Sequence, residues 1–212
     1  MDEKTAFDRW ASSYDQVVHG LDKEYAEVFQ SHENILKYIC SKVSDETKCT
    51  ILEIGSGTGN LTRLLNQHGF RVICVEPSNK MRKVAQMKAP NIPILDGHFL
   101  SIPLTSRVDA IVTSFAFHHL TLKEKEQAIT YLGKFLNENG KIVVADVMFE
   151  SEKYRVDLLK DVKSKGAFRL LKDLETKHYE YLEDICELFR KENYTLEIMK
   201  MNKYVWVLCA MK

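Results

Sequence analysis

Residues 51–61 read Ile-Leu-Glu-Ile-Gly-Ser-Gly-Thr-Gly-Asn-Leu: an apolar run containing Glu53, glycine at 55, 57 and 59, then a helical pattern. Glycine permits positive φ and, lacking Cβ, lets a ligand lie against the backbone. A helix N-terminus beyond the loop favours an anionic group. The simpler alternative is a tight strand-to-helix turn that holds nothing, but three glycines and an acid within seven positions argue for a ligand. Glu76 closes the next apolar run, where a carboxylate can accept from both hydroxyls of a ribose. The pattern Glu-x-Gly-x-Gly-x-Gly lacks the dinucleotide fingerprint G-x-G-x-x-G. His118 and His119 follow a later apolar run and are candidates for a general base, with helix capping or packing as the alternative. Adjacent side chains point in different directions, so a shared metal site is not expected. Trp10 and Tyr14 stand four apart and would share one helix face, which either packs on the body or covers the site.

The elements that must position these residues alternate. β-branched runs at 50–54, 71–75, 92–95, 108–113 and 141–147 predict strands, with helices over roughly 60–67, 78–88 and 121–137. Thr121 and Glu124 form a capping box, Asn139-Gly140 gives the same helix a left-handed stop, and Ser78 is a second N-cap. Residues 1–43 look helical, with Val28, Phe29, Ile35, Leu36, Ile39 and Val43 on one face. Residues 150–192 are a charged helical stretch interrupted near Gly166. Runs at 195–201 and 204–211, joined at Asn202-Lys203, predict an antiparallel hairpin. The sequence thus predicts one α/β domain over 1–212. It comprises an N-terminal helical lid (1–43), a binding core (50–147), a helical insertion on the substrate side (150–192) and a closing hairpin (195–211). In the insertion, Tyr154, Lys163, Lys165, Phe168 and Arg169 are expected to build the second wall of a substrate cavity, although their mixing with Asp157, Asp161, Asp173 and Glu175 fits a solvated surface equally well.

Composition narrows the partners. Lys+Arg and Asp+Glu are equal at 30 each among 212 residues, which speaks against a nucleic-acid binder. No run of 18 apolar residues occurs, and Met1-Asp2-Glu3-Lys4 is not a Sec-type start, so no membrane partner and a cytoplasmic location are expected. Five scattered cysteines without a C-x-x-C pair fit neither a disulfide framework nor a zinc site.

The motifs Glu53-x-Gly55-x-Gly57-x-Gly59, Glu76 and Val108-Asp109-Ala110-Ile111-Val112-Thr113-Ser114 together resemble those of class I S-adenosylmethionine-dependent methyltransferases. Phe7-Asp8-x-Trp10-Ala11-x-x-Tyr14-Asp15, Phe117-His118-His119-Leu120 and Tyr204-Val205-Trp206-Val207 resemble the YrrT-like methyltransferases, so the likeness spans essentially the whole chain. The resemblance implies a Rossmann-like, seven-stranded, mostly parallel sheet ending in an antiparallel hairpin. It implies S-adenosyl-L-methionine as cofactor and S-adenosyl-L-homocysteine as product. The loop from Gly55 through Ser56 and Gly57 to Gly59, with Glu53 at its base, would cradle the methionine end. Glu76 and Pro77 would hold the ribose, and Met81 would pack on the adenine. Ser114, Trp10 and Tyr14 would complete the wall, with Tyr14 near the reacting methyl. The family places an acid after a glycine at the end of the third strand, to accept from the adenine amino group. Here the segment reads Asp96-Gly97-His98-Phe99, with His98 at that position and Asp96 two residues early. Gly97, His98 and Phe99 are therefore expected to bind adenine without a carboxylate.

Methyl transfer needs alignment and water exclusion, worth about 7–11 kcal/mol of barrier. A base adds roughly 10²–10⁴-fold where the acceptor must lose a proton. The catalytic candidates are His118, His119 and Tyr14, acting on a small-molecule acceptor in a monomer or homodimer. Two other readings remain at this level: a protein that binds the cofactor without catalysis, and a nicotinamide-dependent oxidoreductase.

Overall fold

A computed structural model of the chain describes residues 8, 11, 13–44 and 48–212. Seven strands, β1 (Thr50–Ile54), β2 (Arg71–Val75), β3 (Ile94–Leu95), β4 (Val108–Ser114), β5 (Leu136–Val147), β6 (Thr195–Lys200) and β7 (Val205–Met211), form one sheet in the order β3-β2-β1-β4-β5-β7-β6. β1 to β5 pair in parallel, while β7 runs antiparallel to both β5 and β6. This is the Rossmann-like sheet with a closing hairpin that the sequence predicts. The chain reverses its direction of travel across the sheet between β1 and β4, and ligands of open α/β sheets sit above the carboxyl ends of strands at such a point.

The central strands β1, β4 and β5 are largely buried on both faces, as parallel strands covered by helices are. Alternate residues therefore join different cores. Ala110, Val112, Val143, Ala145, Val205 and Val207 pack on one side with α2 (His32–Val43) and α3 (Asn60–Gln67). Val108, Ile111, Ile142, Val144, Leu208 and Ala210 pack on the other with α5 (Leu122–Leu132) and α8 (Leu182–Lys191). A short α1 (Tyr14–Val18) opens the described chain, and α4 (Asn79–Lys88) follows β2. Between β5 and α8 lie α6 (Glu152–Ser164) and α7 (Phe168–Thr176), separated by Gly166 at φ +72°.

The predicted caps form. Thr121 and Glu124 make a reciprocal capping box, and Ser78 Oγ accepts the Met81 N–H at 3.2 Å. Two expectations are corrected. The helix expected to run to residue 137 ends at Leu132 in a 3₁₀ turn over Gly133–Phe135, and Leu136 already pairs with Val108. The next pairing is Ala110 with Lys141, so residues 137–140 bulge out of the ladder. Asn139, at φ +60°, turns that bulge and stops no helix. Nor is the apolar face over 28–43 one helix: Ser31 takes a left-handed conformation, α2 begins at His32, and Val28 and Phe29 lie in the turns before it.

Candidate functional site

A cavity of about 600 Å³ opens over the carboxyl edge of the sheet. Its first wall is the loop after β1. The Gly55 N–H donates to Val75 O at 2.9 Å, tying the loop to the end of β2. A Cβ on Gly55 would stand 2.6 Å from Ala116 Cβ, so the residue must be glycine for contact as well as for its φ of +70°. Gly57 is the opposite case: at φ +54° its missing Cβ would meet nothing within 4 Å, and its backbone lies open to the cavity. Ser56 also lines the cavity, and its buried Oγ has no hydrogen-bond partner among the described residues.

Glu76, just past β2, is 5% exposed and also lines the cavity. Its Oε2 accepts the Gly57 N–H at 2.9 Å and its Oε1 the Ser78 N–H at 2.8 Å. Burial raises its pKa from the ordinary carboxylate value, against the two N–H bonds and the Arg82 charge, which lower it. A carboxylate has about four lone-pair sites, so two acceptor sites remain for a ligand. Met81, Pro77, His98 and Phe99 complete this end of the cavity.

The second wall begins where β4 ends. Phe115 has φ +54°, an outlying conformation for a bulky residue that costs about 1–3 kcal/mol. Its N–H donates to Ala145 O at 2.8 Å, and its ring packs on Phe29 at 5.0 Å between centroids. The sharp turn is thus held by the sheet on one side and an aromatic cluster on the other. It carries the chain into the 3₁₀ turn Phe117–His119. There His118 Nδ1 lies 2.8 Å from Asp146 Oδ1, and the His118 N–H donates to Asp146 Oδ2 at 2.9 Å. Asp146 sits on β5, accepts the Val147 N–H as well, and is almost wholly buried. Burial alone would raise the Asp146 pKa. The His118 ring and the backbone N–H donors outweigh it and hold the carboxyl below its ordinary value. A carboxylate on Nδ1 fixes the imidazole tautomer and orientation and leaves Nε2 as the proton acceptor. The His119 ring lies tilted against that of His118, with centroids 4.1 Å apart. Burial, reinforced by its cationic neighbours, drives its pKa far below the imidazole range, so it is neutral.

Two further segments close the cavity. Tyr14 lines it from the N-terminal side, and the neighbouring Asp15 clasps the glycine loop. Thr58 Oγ1 donates to Asp15 Oδ1 at 2.7 Å, and Lys88 Nζ to Oδ2 at 2.6 Å. Asp8 accepts from Ser78 Oγ at 2.6 Å, at the start of α4. From the insertion come Leu170, Asp173, Leu174, Lys177, His178 and Tyr179. Lys125, only 2% exposed, donates to Leu120 O and His178 O and so staples this segment beside His118.

Of the residues expected from sequence, Tyr14, Gly55, Ser56, Gly57, Glu76, Pro77, Met81, His98, Phe99, Ser114, His118 and His119 line the one cavity. Trp10 lies outside the described residues. Gly59 and Gly97 stand behind the wall: a Cβ on Gly97 would press on Ser101 O at 2.8 Å. Glu53 is corrected to a buried support. Its Oε2 accepts from Thr62 Oγ1 at 2.6 Å, and it does not line the cavity. The second wall is also corrected, because Tyr154, Lys163, Lys165, Phe168 and Arg169 are not part of it. Phe168 is exposed, Lys165 pairs with Glu27, and Arg169 pairs with Asp22 and Glu24. Asp146, Asp15 and Phe115 were missed. An acid inside the apolar run 141–147 was a readable signal for Asp146, whereas nothing in the sequence marks the turn at Phe115.

Residues 51–140 match a family profile described as a methyltransferase domain. The chain is 53% identical over 206 residues to an uncharacterized methyltransferase of Alkaliphilus oremlandii, covering 97% of this chain and 95% of that protein. It is 41% identical over 208 residues to the uncharacterized methyltransferase YrrT of Bacillus subtilis, covering 97% and 96%. Magnesium protoporphyrin IX methyltransferase from Synechocystis, solved with bound S-adenosylhomocysteine, superposes with a TM-score of 0.75 at 14% identity over 100% of both chains. At that identity the likeness is one of fold. These findings displace the oxidoreductase and non-catalytic readings, and the chain belongs to the class I S-adenosylmethionine-dependent methyltransferases, among relatives that include YrrT.

Proposed function

We propose that this cavity transfers a methyl group from S-adenosylmethionine to a small-molecule acceptor, with His118 as general base. The observation that carries the reading is the convergence of the glycine loop, Glu76 and the His118–Asp146 pair on one cavity. The residues present fit the donor. A buried hydroxyl without a partner among the described residues, Ser56 Oγ, calls for a polar ligand at that end, and Gly57 leaves the space beside it clear. Glu76 is held by two backbone N–H groups with acceptor capacity to spare for ribose hydroxyls. His98, Phe99 and Met81 line the same cavity and would take the adenine. When bound, the donor supplies a methyl on a sulfonium and leaves as the neutral thioether, the carbon–sulfur pair remaining on sulfur.

The protein's own part is positional and acid–base. Tyr14 and the 170–179 segment exclude water, and Asp15 holds the N-terminal segment on the glycine loop. His118, oriented through Nδ1, takes the acceptor's proton at Nε2. Balanced charge supports an acceptor other than a nucleic acid.

Thermal unfolding with S-adenosylmethionine, S-adenosylhomocysteine and NAD(H) tests the cavity's ligand. Saturation at 100 times Kd adds about 2.7 kcal/mol and raises the midpoint by about 5–10 °C. Radiolabelled methyl transfer to pooled metabolites, protein or RNA then tests the acceptor. Label entering only macromolecules would overturn the small-molecule reading.

A further inference from the structure

We propose that the acceptor is an uncharged small molecule with an aromatic or apolar body, methylated on a weakly acidic hydroxyl or thiol; this rests on the methyltransferase reading above. Tyr14, Tyr25, Phe29, His32, Phe115 and Tyr179 give the cavity an aromatic wall. Phe115 packs on His32 at 5.6 Å, Phe29 on His32 at 5.7 Å and Tyr14 on Phe29 at 6.3 Å. Tyr179 covers His118 at 4.7 Å.

The charged side chains on this wall are already engaged. Asp173 accepts from Tyr25 OH at 2.8 Å and pairs with Lys177 at 2.9 Å. Glu124 is engaged by the N–H and hydroxyl of Thr121. His32 is held neutral, because burial pushes its pKa down to about 4, and His119 is neutral for the same reason. A charged acceptor would therefore lose its hydration against groups that are already engaged with one another.

Aromatic faces gathered around a common centre would suit a quaternary ammonium group. Here the rings of Tyr14, Phe29, His32 and Phe115 touch one another, with centroids 6.3, 5.7 and 5.0 Å apart, and leave no space for a cation between those pairs. The exception to neutrality is the His118–Asp146 pair, whose open nitrogen calls for an acceptor with a proton to give. An imidazole base is within reach of a thiol or phenol, with ordinary pKa values of about 8.5 and 10. In the transfer, the heteroatom bonds to the sulfonium methyl as that carbon leaves sulfur with its pair behind, and the heteroatom's proton passes to His118 Nε2.

Calorimetry on the full chain saturated with S-adenosylhomocysteine would compare 4-ethylphenol and phenylmethanethiol with their ring-carboxylate and ring-trimethylammonium counterparts. Methyl transfer to the same probes would be followed in parallel. The neutral probes should bind about tenfold or more tightly than either charged form and should be the ones methylated. In Lys177→Met, which leaves Asp173 without its cation, the trimethylammonium form should gain relative to the neutral one. Normal S-adenosylhomocysteine binding with a charged probe bound as tightly, or with no neutral probe bound, overturns the proposal. Failure to bind S-adenosylhomocysteine would count instead against the methyltransferase reading of the cavity.

Discussion

His118 Nδ1 and Asp146 Oδ1 lie 2.8 Å apart although 28 residues separate them in the chain. One side chain comes from the turn after β4 and the other from β5, strands that pair in parallel register up to Ser114 and Ala145. The sheet therefore sets the geometry of the pair, and the carboxylate sets which imidazole nitrogen can accept a proton.

Asp146→Asn should lower kcat by about 10²–10⁴-fold while changing S-adenosylhomocysteine affinity little. Asp146 also accepts the His118 and Val147 N–H groups, so the thermal shift on binding S-adenosylhomocysteine serves as the check of local structure. Full activity in Asp146→Asn and in His118→Ala would leave a purely positional mechanism.

Glu76→Ala should weaken binding of S-adenosylmethionine by about 10–100-fold, the loss expected for hydrogen bonds to a charged acceptor. Titration calorimetry would read it, and unchanged affinity would refute the ribose role. The Gly57 and Ser78 N–H groups also lose their acceptor, so part of the effect should appear as a more mobile loop in amide exchange.

Glu53 predicts a pH effect on stability. Burial, the dominant cause, raises its pKa to about 7 from an ordinary carboxylate value, against the Thr62 and Cys74 hydrogen bonds. The folded state thus holds this proton where the unfolded state has released it. The stabilisation is full below the unfolded pKa and is lost as pH rises through about 7. Denaturant titrations should show Glu53→Gln removing up to about 3 kcal/mol of this decline between pH 4.5 and 7.5. A variant and wild type with parallel profiles would refute the protonated carboxyl.

Asp15→Ala should release the N-terminal segment from Thr58, Asn60 and Lys88. The group is partly exposed and screened, so the stability loss should be small, on the order of 1 kcal/mol. Faster S-adenosylhomocysteine dissociation in stopped flow and earlier proteolysis before residue 30 are the expected signs. Unchanged dissociation would mean that the clasp only packs.

The sequence by itself determined the strand-and-helix alternation, the closing hairpin and the glycine loop with Glu76. Each is a local signal: β-branched runs at strand length, turn residues, and spacing along one strand–loop–helix unit. Asn139-Gly140 misled because a left-handed pair marks a helix stop and a strand bulge equally well, and only the pairing of Leu136 with Val108 chooses between them. Glu53 misled because a strand end alternates faces, and whether a carboxyl there meets a ligand or Thr62 depends on the side from which α3 packs. Only the tertiary structure decided the pairing of His118 with Asp146, the turn at Phe115 and the choice of wall residues from 170–179. Those are contacts between segments far apart in sequence, fixed by sheet register and packing, which no local pattern records.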